Sequence, residues 1–282
     1  PSVNDHQDVR LWHEVNHSEM SADNSSTAKW LLCAADQSSA CYAADLRWVV
    51  KGKGGAQNID IPLCCVSSST GISAVKLPDN VAVRKMAGIV LANAGQTNHL
   101  TGVINSSGFR ALTEVFRIDG EPSTLTAGQL TAIPICDHGT EVIEPAVQEL
   151  IDLAEKDKCY AESEWWFTSI PWLSGTGGLL SESYSAWLNK EHAAINRYRE
   201  LVERIDRTVA EGYRITPATG AGKVLERVQL RANPHCHFSG TTSSGLLDEW
   251  MQSVHATEFI SYAIGCLMGR YSLERSGIIC AD

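Results

Sequence analysis

The chain has 282 residues, enough for one large domain or two of ordinary size. Its 44% hydrophobic and 20% charged residues are the balance of a folded protein, which excludes disorder as the main state. A net charge of −10 argues against a nonspecific nucleic-acid coat or a binder of anionic membranes. That charge is uneven: residues 1–140 carry 10 Lys/Arg against 13 Asp/Glu, and residues 141–282 carry 13 against 20. The first half therefore resists a polyanion less than the second. No run of about 18 apolar residues is present, so no transmembrane helix is expected. The polar start, PSVNDHQDVR, is not a secretory signal, and the absence of Met at position 1 reads as processing or as a piece of something longer. Nine cysteines, an odd number without a CxxC spacing, read as reduced, buried thiols in a cytoplasmic protein.

Residues 25–142 favour strands and turns. LRWVV (46–50) and IDIPLCCV (59–66) are short and rich in residues that suit a pleated sheet, and adjacent Cys64 and Cys65 point to opposite faces of their strand. KGKGG (51–55) and LPDN (77–80) are turn sequences. Residues 86–95 form a strand or a short helix, since periodicity does not decide between them. Residues 99–116 read as a strand or turn leading into a short helix. From 143 the period changes. Val147, Leu150, Ile151 and Ala154 share a face of a helix over 143–158. An aromatic stretch (162–173) and a Gly-rich loop follow. A long helix over 182–212 carries the stripe Ala194, Ile195, Tyr198, Leu201, Val202, Ile205 and Val209, with Gly212 as its stop. A further helix spans 245–270, and all three apolar stripes read as core or helix-contact surfaces. The fold class is therefore α+β: a sheet-rich half followed by a mainly helical one.

Few local motifs carry chemistry. His13-Glu14-Val15-Asn16-His17 fits H-E-x-x-H, which on a helix would hold zinc with the Glu as general base. No spacing supplies a third ligand, and little chain precedes the motif to build a cleft, so solvated or packed histidines are the plainer reading. His235-Cys236-His237 offers metal-ligating types, yet alternate residues of an extended segment diverge, and a loop after Asn233-Pro234 is the expectation. Thr219-Gly220-Ala221-Gly222-Lys223 lacks the first glycine of a phosphate loop, and Val224 replaces its Ser/Thr. Lys51, Lys53, Arg84, Lys85, Arg110 and Arg117 are the candidate DNA contacts, because their chemistry suits phosphates and guanine edges. Ordinary surface charge accounts for the same residues.

The C-terminal segment from Glu258 through Tyr262, Gly265 and Arg270 to Glu274 resembles a long motif of the BREX-type PglX family of adenine-specific DNA methyltransferases, which are similar to type IIG restriction–modification enzymes. Other stretches agree in the same order. Arg10-Leu11-Trp12-His13-Glu14-Val15 resembles that family's RLWHEV. Lys29-Trp30 and Trp48-Val49-Val50 resemble the flanks of its KW…YVV block. Ile104-Asn105-Ser106 with Pro122, Gly128 and Ile133-Pro134 is similar to the end of its recognition domain. Residues 149–171 resemble its first spacer helix and loop, and Leu225-Glu226-Arg227-Val228 with Asn233-Pro234 precedes the final motif.

The resemblance implies a target-recognition, DNA-reading domain over residues 1–140 and a helical spacer or interaction region over 141–282. It implies double-stranded DNA as a partner, with the methyltransferase half of the enzyme or other defence subunits as protein partners and no membrane. The family's NPPY-type loop and its turn for S-adenosylmethionine are not in these 282 residues and are expected upstream of Pro1. The chain itself is thus expected to supply no catalytic, cofactor-binding or metal-binding residue. It departs from the family pattern over residues 35–45, where Tyr42 is the only aromatic, and at Cys236-His237-Phe238, where the family has Tyr-Arg-Tyr. Two other readings stand beside this one: a zinc metallopeptidase-like protein built on His13 and His17, and a non-catalytic scaffold subunit of a defence complex.

Overall fold

The computed structural model describes residues 9–16, 19–21, 30–35, 41–51, 63–68, 71–78, 81–84, 87–89, 94–115, 132–174, 178–216, 224–238 and 243–279. The chain forms two compact units, Pro1–Ile151 with Val202–Ala218 and Asp152–Leu201 with Thr219–Asp282. The first unit thus contains residues 1–140 and also draws in residues 141–151 and 202–218. Strands precede a mostly helical C-terminal part, as expected of the α+β class.

Two sheets make up the strand-rich part of the first unit. One runs β1 (Val9–Leu11), β5 (Trp48–Lys51), β3 (Trp30–Ala35), β2 (Met20–Ser21), with β8 (Ala82–Arg84) also paired to β3. The pairs β1/β5 and β3/β5 are antiparallel, and β2 and β8 lie parallel to β3. Residues 30–34 of the central strand β3 are all buried, so a continuous apolar run serves it. The second sheet runs β4 (Tyr42–Ala43), β7 (Gly71–Lys76), β6 (Leu63–Ser68), β9 (Ala87–Ile89). Segment 86–95, ambiguous in sequence, thus supplies a strand.

The segment read as a strand or turn leading into a short helix holds two helices: α1 (Thr97–Asn105), where the strand or turn was expected, and α2 (Ser107–Val115), the short helix. Ser106 separates them with an extended backbone. Its hydroxyl accepts the Phe109 N–H at 3.1 Å and so caps α2, while Asp206 accepts the Ser107 N–H at 2.8 Å. Periodicity missed α1 because its buried face is polar: Thr97, His99, Thr101 and Asn105 are all inside. Asn105 explains why. Its carboxamide accepts the Ala74 N–H at 2.9 Å and donates to the Ala74 carbonyl at 2.8 Å. It thereby satisfies β7 on the edge where the short β4 pairs only with Val75 and Lys76. Gly102 brings α1 against its neighbours, since a Cβ there would stand 2.5 Å from Ile143 and 2.8 Å from Val147.

The long helices α3 (Thr140–Lys158) and α4 (Leu180–Tyr213) match the expected stripes. Tyr198, Leu201, Val202, Ile205 and Val209 are each essentially inaccessible. Gly212 does not stop α4. The left-handed residue is Arg214, with Ile215 N–H reaching the Ala210 carbonyl at 2.9 Å. Gly212 is instead a point of close approach, where a Cβ would lie 2.2 Å from Cys136 Sγ. In the second unit, a single turn α5 (Pro234–His237) precedes α6 (Ser244–Leu267). Phe167, Ile170, Trp172, Tyr262 and Tyr271 form a hydrophobic core cluster of that unit, four of the five aromatic. Tyr262 and Tyr271 stack with centroids 5.0 Å apart, and Gly265 makes room, because a Cβ there would meet the Tyr271 ring at 2.5 Å.

Candidate functional site

Strand register assembles a small basic surface on the first sheet. Directly paired residues share a face, as do residues two apart on one strand. The pairs Arg10↔Val49 and Trp30↔Lys51 therefore set Arg10, Val49, Lys51 and Trp30 on one face. Val49 and Trp30 are buried, whereas Arg10 and Lys51 are exposed. The Arg10 guanidinium sits 5.6 Å from the Trp30 ring centroid, a cation–π contact that holds it at the sheet surface. Lys51 thus shares a face with a cation that the charge inventory did not single out; its place in the Arg10-to-Val15 stretch was the available signal.

The other candidate DNA contacts fare differently. Arg110 lies on α2 and is partly buried, with a guanidinium nitrogen 3.7 Å from Cys41 Sγ. Arg84 ends β8, opposite Ala35, and only its backbone is described. Lys53, Lys85 and Arg117 lie outside the described residues, as does the Gly-rich segment 219–223.

Neither metal-type motif forms its expected geometry. His13 and Glu14 belong to one 3-10 turn, Trp12–Glu14, and Val15 is already extended at φ −122° and ψ 152°. The α-helical face that would stack residues 13 and 17 is therefore absent, and His17 lies outside the described residues. Glu14 serves the backbone instead, accepting the Leu11 N–H at 3.1 Å. Residues 234–237 form a helical turn and not a loop. Asn233 caps it by accepting the His235 N–H at 3.2 Å. The same side chain donates to the carbonyls of Leu225 (2.8 Å) and Val228 (2.6 Å), tying together the stretch that precedes the final motif. Burial pushes the Cys236 thiol up to about 12, so it stays protonated. Among the described residues no group of three His, Cys, Asp or Glu is arranged to hold a metal ion. Cys33, Cys41, Cys136, Cys159, Cys236 and Cys266 are thiols outside any disulfide; the first two are buried and the other four partly exposed.

The second unit holds a titratable interior that motif reading missed. Arg231 forms an ion pair with Glu258, and its backbone N–H donates to Asp157 Oδ2 at 3.0 Å. Burial raises the Asp157 carboxyl to about 7 against the lowering effect of Arg231. The Ser261 hydroxyl donates to Glu162 Oε2 at 2.9 Å. Glu258 and Ser261 both come from the C-terminal motif, so part of that motif is a bracing device. Nearby, the Tyr184 hydroxyl and His255 Nδ1 hydrogen-bond at 3.0 Å among the rings of Trp172 and Trp187. Burial holds His255 down at about 4, hence neutral.

No protein-family profile matches the chain. It is similar to the adenine-specific methyltransferase BrxX of Escherichia coli O9:H4 (strain HS), with 19% identity over 97% of this chain and 24% of that protein. The chain is a distant relative of an adenine-specific methyltransferase. It spans about a quarter of the length of that relative. Among the described residues no helix is long and apolar enough to cross a membrane.

Proposed function

We propose that this chain is the DNA-reading and interaction portion of a BREX-type, S-adenosylmethionine-dependent N6-adenine methyltransferase of the bacterial cytoplasm. The observation that carries the reading is the likeness to BrxX, which runs along nearly all of this chain and only a quarter of that methyltransferase. A recognition portion needs cations at a surface that a duplex can approach, and Arg10 and Lys51 supply two on one sheet face. Lys53, Arg84, Lys85, Arg110 and Arg117 remain proposed contributors. Sequence reading itself belongs to base edges in the major groove. S-adenosylmethionine, held by the methyltransferase portion, provides the methyl group that reaches the N6 of an extruded adenine. The present chain grips and orients the duplex.

A protein partner fits the second unit. Residues 152–201 and 219–282 carry ten Lys/Arg against fourteen Asp/Glu, which disfavours phosphate there. Leu246, Trp250, Ile260, Ile264 and Leu267 leave an apolar strip of α6 exposed. The methyltransferase portion is its proposed occupant, since the relative's remaining three-quarters has no counterpart in this chain.

Fluorescence anisotropy on a labelled duplex, with the methyltransferase portion present and absent and over a salt series, tests the reading. Sequence-dependent binding in the pair is expected, with a salt slope reduced by about 1.8 in an Arg10→Ala, Lys51→Ala double variant if both contact phosphate. Absence of duplex binding in either case, with stable co-purification retained, would replace it by the scaffold reading. Methyl transfer by this chain alone would contradict it.

A further inference from the structure

A cavity of about 550 Å³ opens in the second unit, within the size range of small-molecule sites. Its walls include Trp172, Trp187 and Tyr160, and Asp157 and Glu191 reach it from α3 and α4. We propose that this cavity is a binding site for a guanidinium group, stacked on the indole wall and paired with the two carboxyl groups. The inference is independent of the DNA-reading proposal.

Depth decides the sign of the ligand. Asp157 is buried and Glu191 partly so, whereas the lining residues Lys156 and Lys190 are exposed, Lys156 being the main cation that acts on Glu191. Exposed charges are screened by water and salt, but those inside are not. A phosphate or carboxylate pushed inward would meet desolvated acids. An apolar ligand would strip the remaining water from those acids and return no hydrogen bond of its own. The Arg231 guanidinium, whose charge acts on Asp157 and Glu191, is already ion-paired with Glu258. Burial raises both Asp157 and Glu191, and their mutual repulsion adds to the rise of Asp157. A cation inside removes that strain by favouring the ionised forms.

Shape then selects among cations. Trp172 and Trp187 meet at 4.7 Å between centroids with planes 49° apart, and both rings line the cavity. A planar, weakly hydrated guanidinium stacks on an indole and offers paired N–H donors to a carboxylate; a compact ammonium does only part of this. The group arrives either on a free arginine-like molecule or on an arginine side chain of a protein partner.

Calorimetric titration of the full chain with L-argininamide is the test, alongside n-butylammonium and a short peptide with one central arginine. Saturable argininamide binding is expected, weakened at least about tenfold, roughly 1.4 kcal/mol, in Glu191→Gln and in Trp187→Leu. Butylammonium should bind more weakly than argininamide. Argininamide without peptide binding identifies a free molecule as the source; peptide binding of equal or greater strength identifies a protein side chain. Circular dichroism checks that each variant is folded, and the isosteric Asp157→Asn supplies a third variant. No saturable heat with either guanidinium probe, or undiminished binding in the folded variants, overturns the proposal.

Discussion

Asp157 and His255 carry opposite pH signatures. Asp157 ionises near 3.8 when solvated and near 7 in the fold, so between these values only the folded chain keeps the proton. Raising pH from about 4 to about 7 therefore removes stability, on the order of 4 kcal/mol at most. His255 takes a proton near 6.5 when solvated and near 4 in the fold. Its contribution is present above pH 6.5 and is lost as pH falls toward 4, on the order of 3 kcal/mol at most. Asp157→Asn keeps an acceptor for the Arg231 N–H and should flatten the loss toward pH 7, leaving the variant more stable than the parent at pH 8. Urea unfolding at several pH values measures this, and an unchanged slope would refute the assigned burial of Asp157. Asn105 is the corresponding neutral case. Asn105→Leu leaves the Ala74 N–H and carbonyl without partners and should cost about 2–4 kcal/mol.

Among the elements, legibility followed the kind of contact each segment makes. Where a helix buries apolar side chains at every turn, the period was readable: the α4 stripe expected from Ile195 to Val209 is the buried one. Where burial is polar it was not, as the Thr97, Thr101 and Asn105 face of α1 illustrates. Glycines misled for a related reason. Gly212 looks like a stop, yet its use is room for Cys136, and that neighbour is far away in sequence. The same physics makes Gly265→Ala a sharp test, because the new methyl would strike the Tyr271 ring. A loss of about 1–3 kcal/mol is expected in thermal or urea unfolding. The α6 strip behaves in the opposite way. Ile260→Glu and Ile264→Glu lie on exposed positions and should change stability by less than about 0.5 kcal/mol while abolishing co-purification with the methyltransferase portion. Retained co-purification would remove α6 as the docking surface. The candidate site was legible only in part. Lys51 came from charge and Arg10 from its motif, but their shared face is set by pairing between strands whose partner residues lie 37–41 positions apart in the chain. The cavity acids on α3 and α4 bear no motif at all.

At the scale of the whole molecule, the resemblance of short stretches to adenine methyltransferases now has a physical content. Trp12 and Val15 are buried, Asn233 ties three backbone segments, and Glu258, Tyr262 and Gly265 brace the second unit. These residues preserve a scaffold; they do not reveal a reaction. What the scaffold presents, in our account, is a DNA-reading surface whose chemistry is supplied by another portion of the enzyme. The most direct measurement is a segment exchange in the Escherichia coli methyltransferase to which the chain is similar. The aligned stretch is replaced by residues 1–140 of this chain together with its helical continuation, and N6-methyladenine positions are mapped by single-molecule sequencing. A new set of methylated sites that follows the exchanged segment is the predicted result, and methylation persisting at the parent enzyme's own sites would contradict the account.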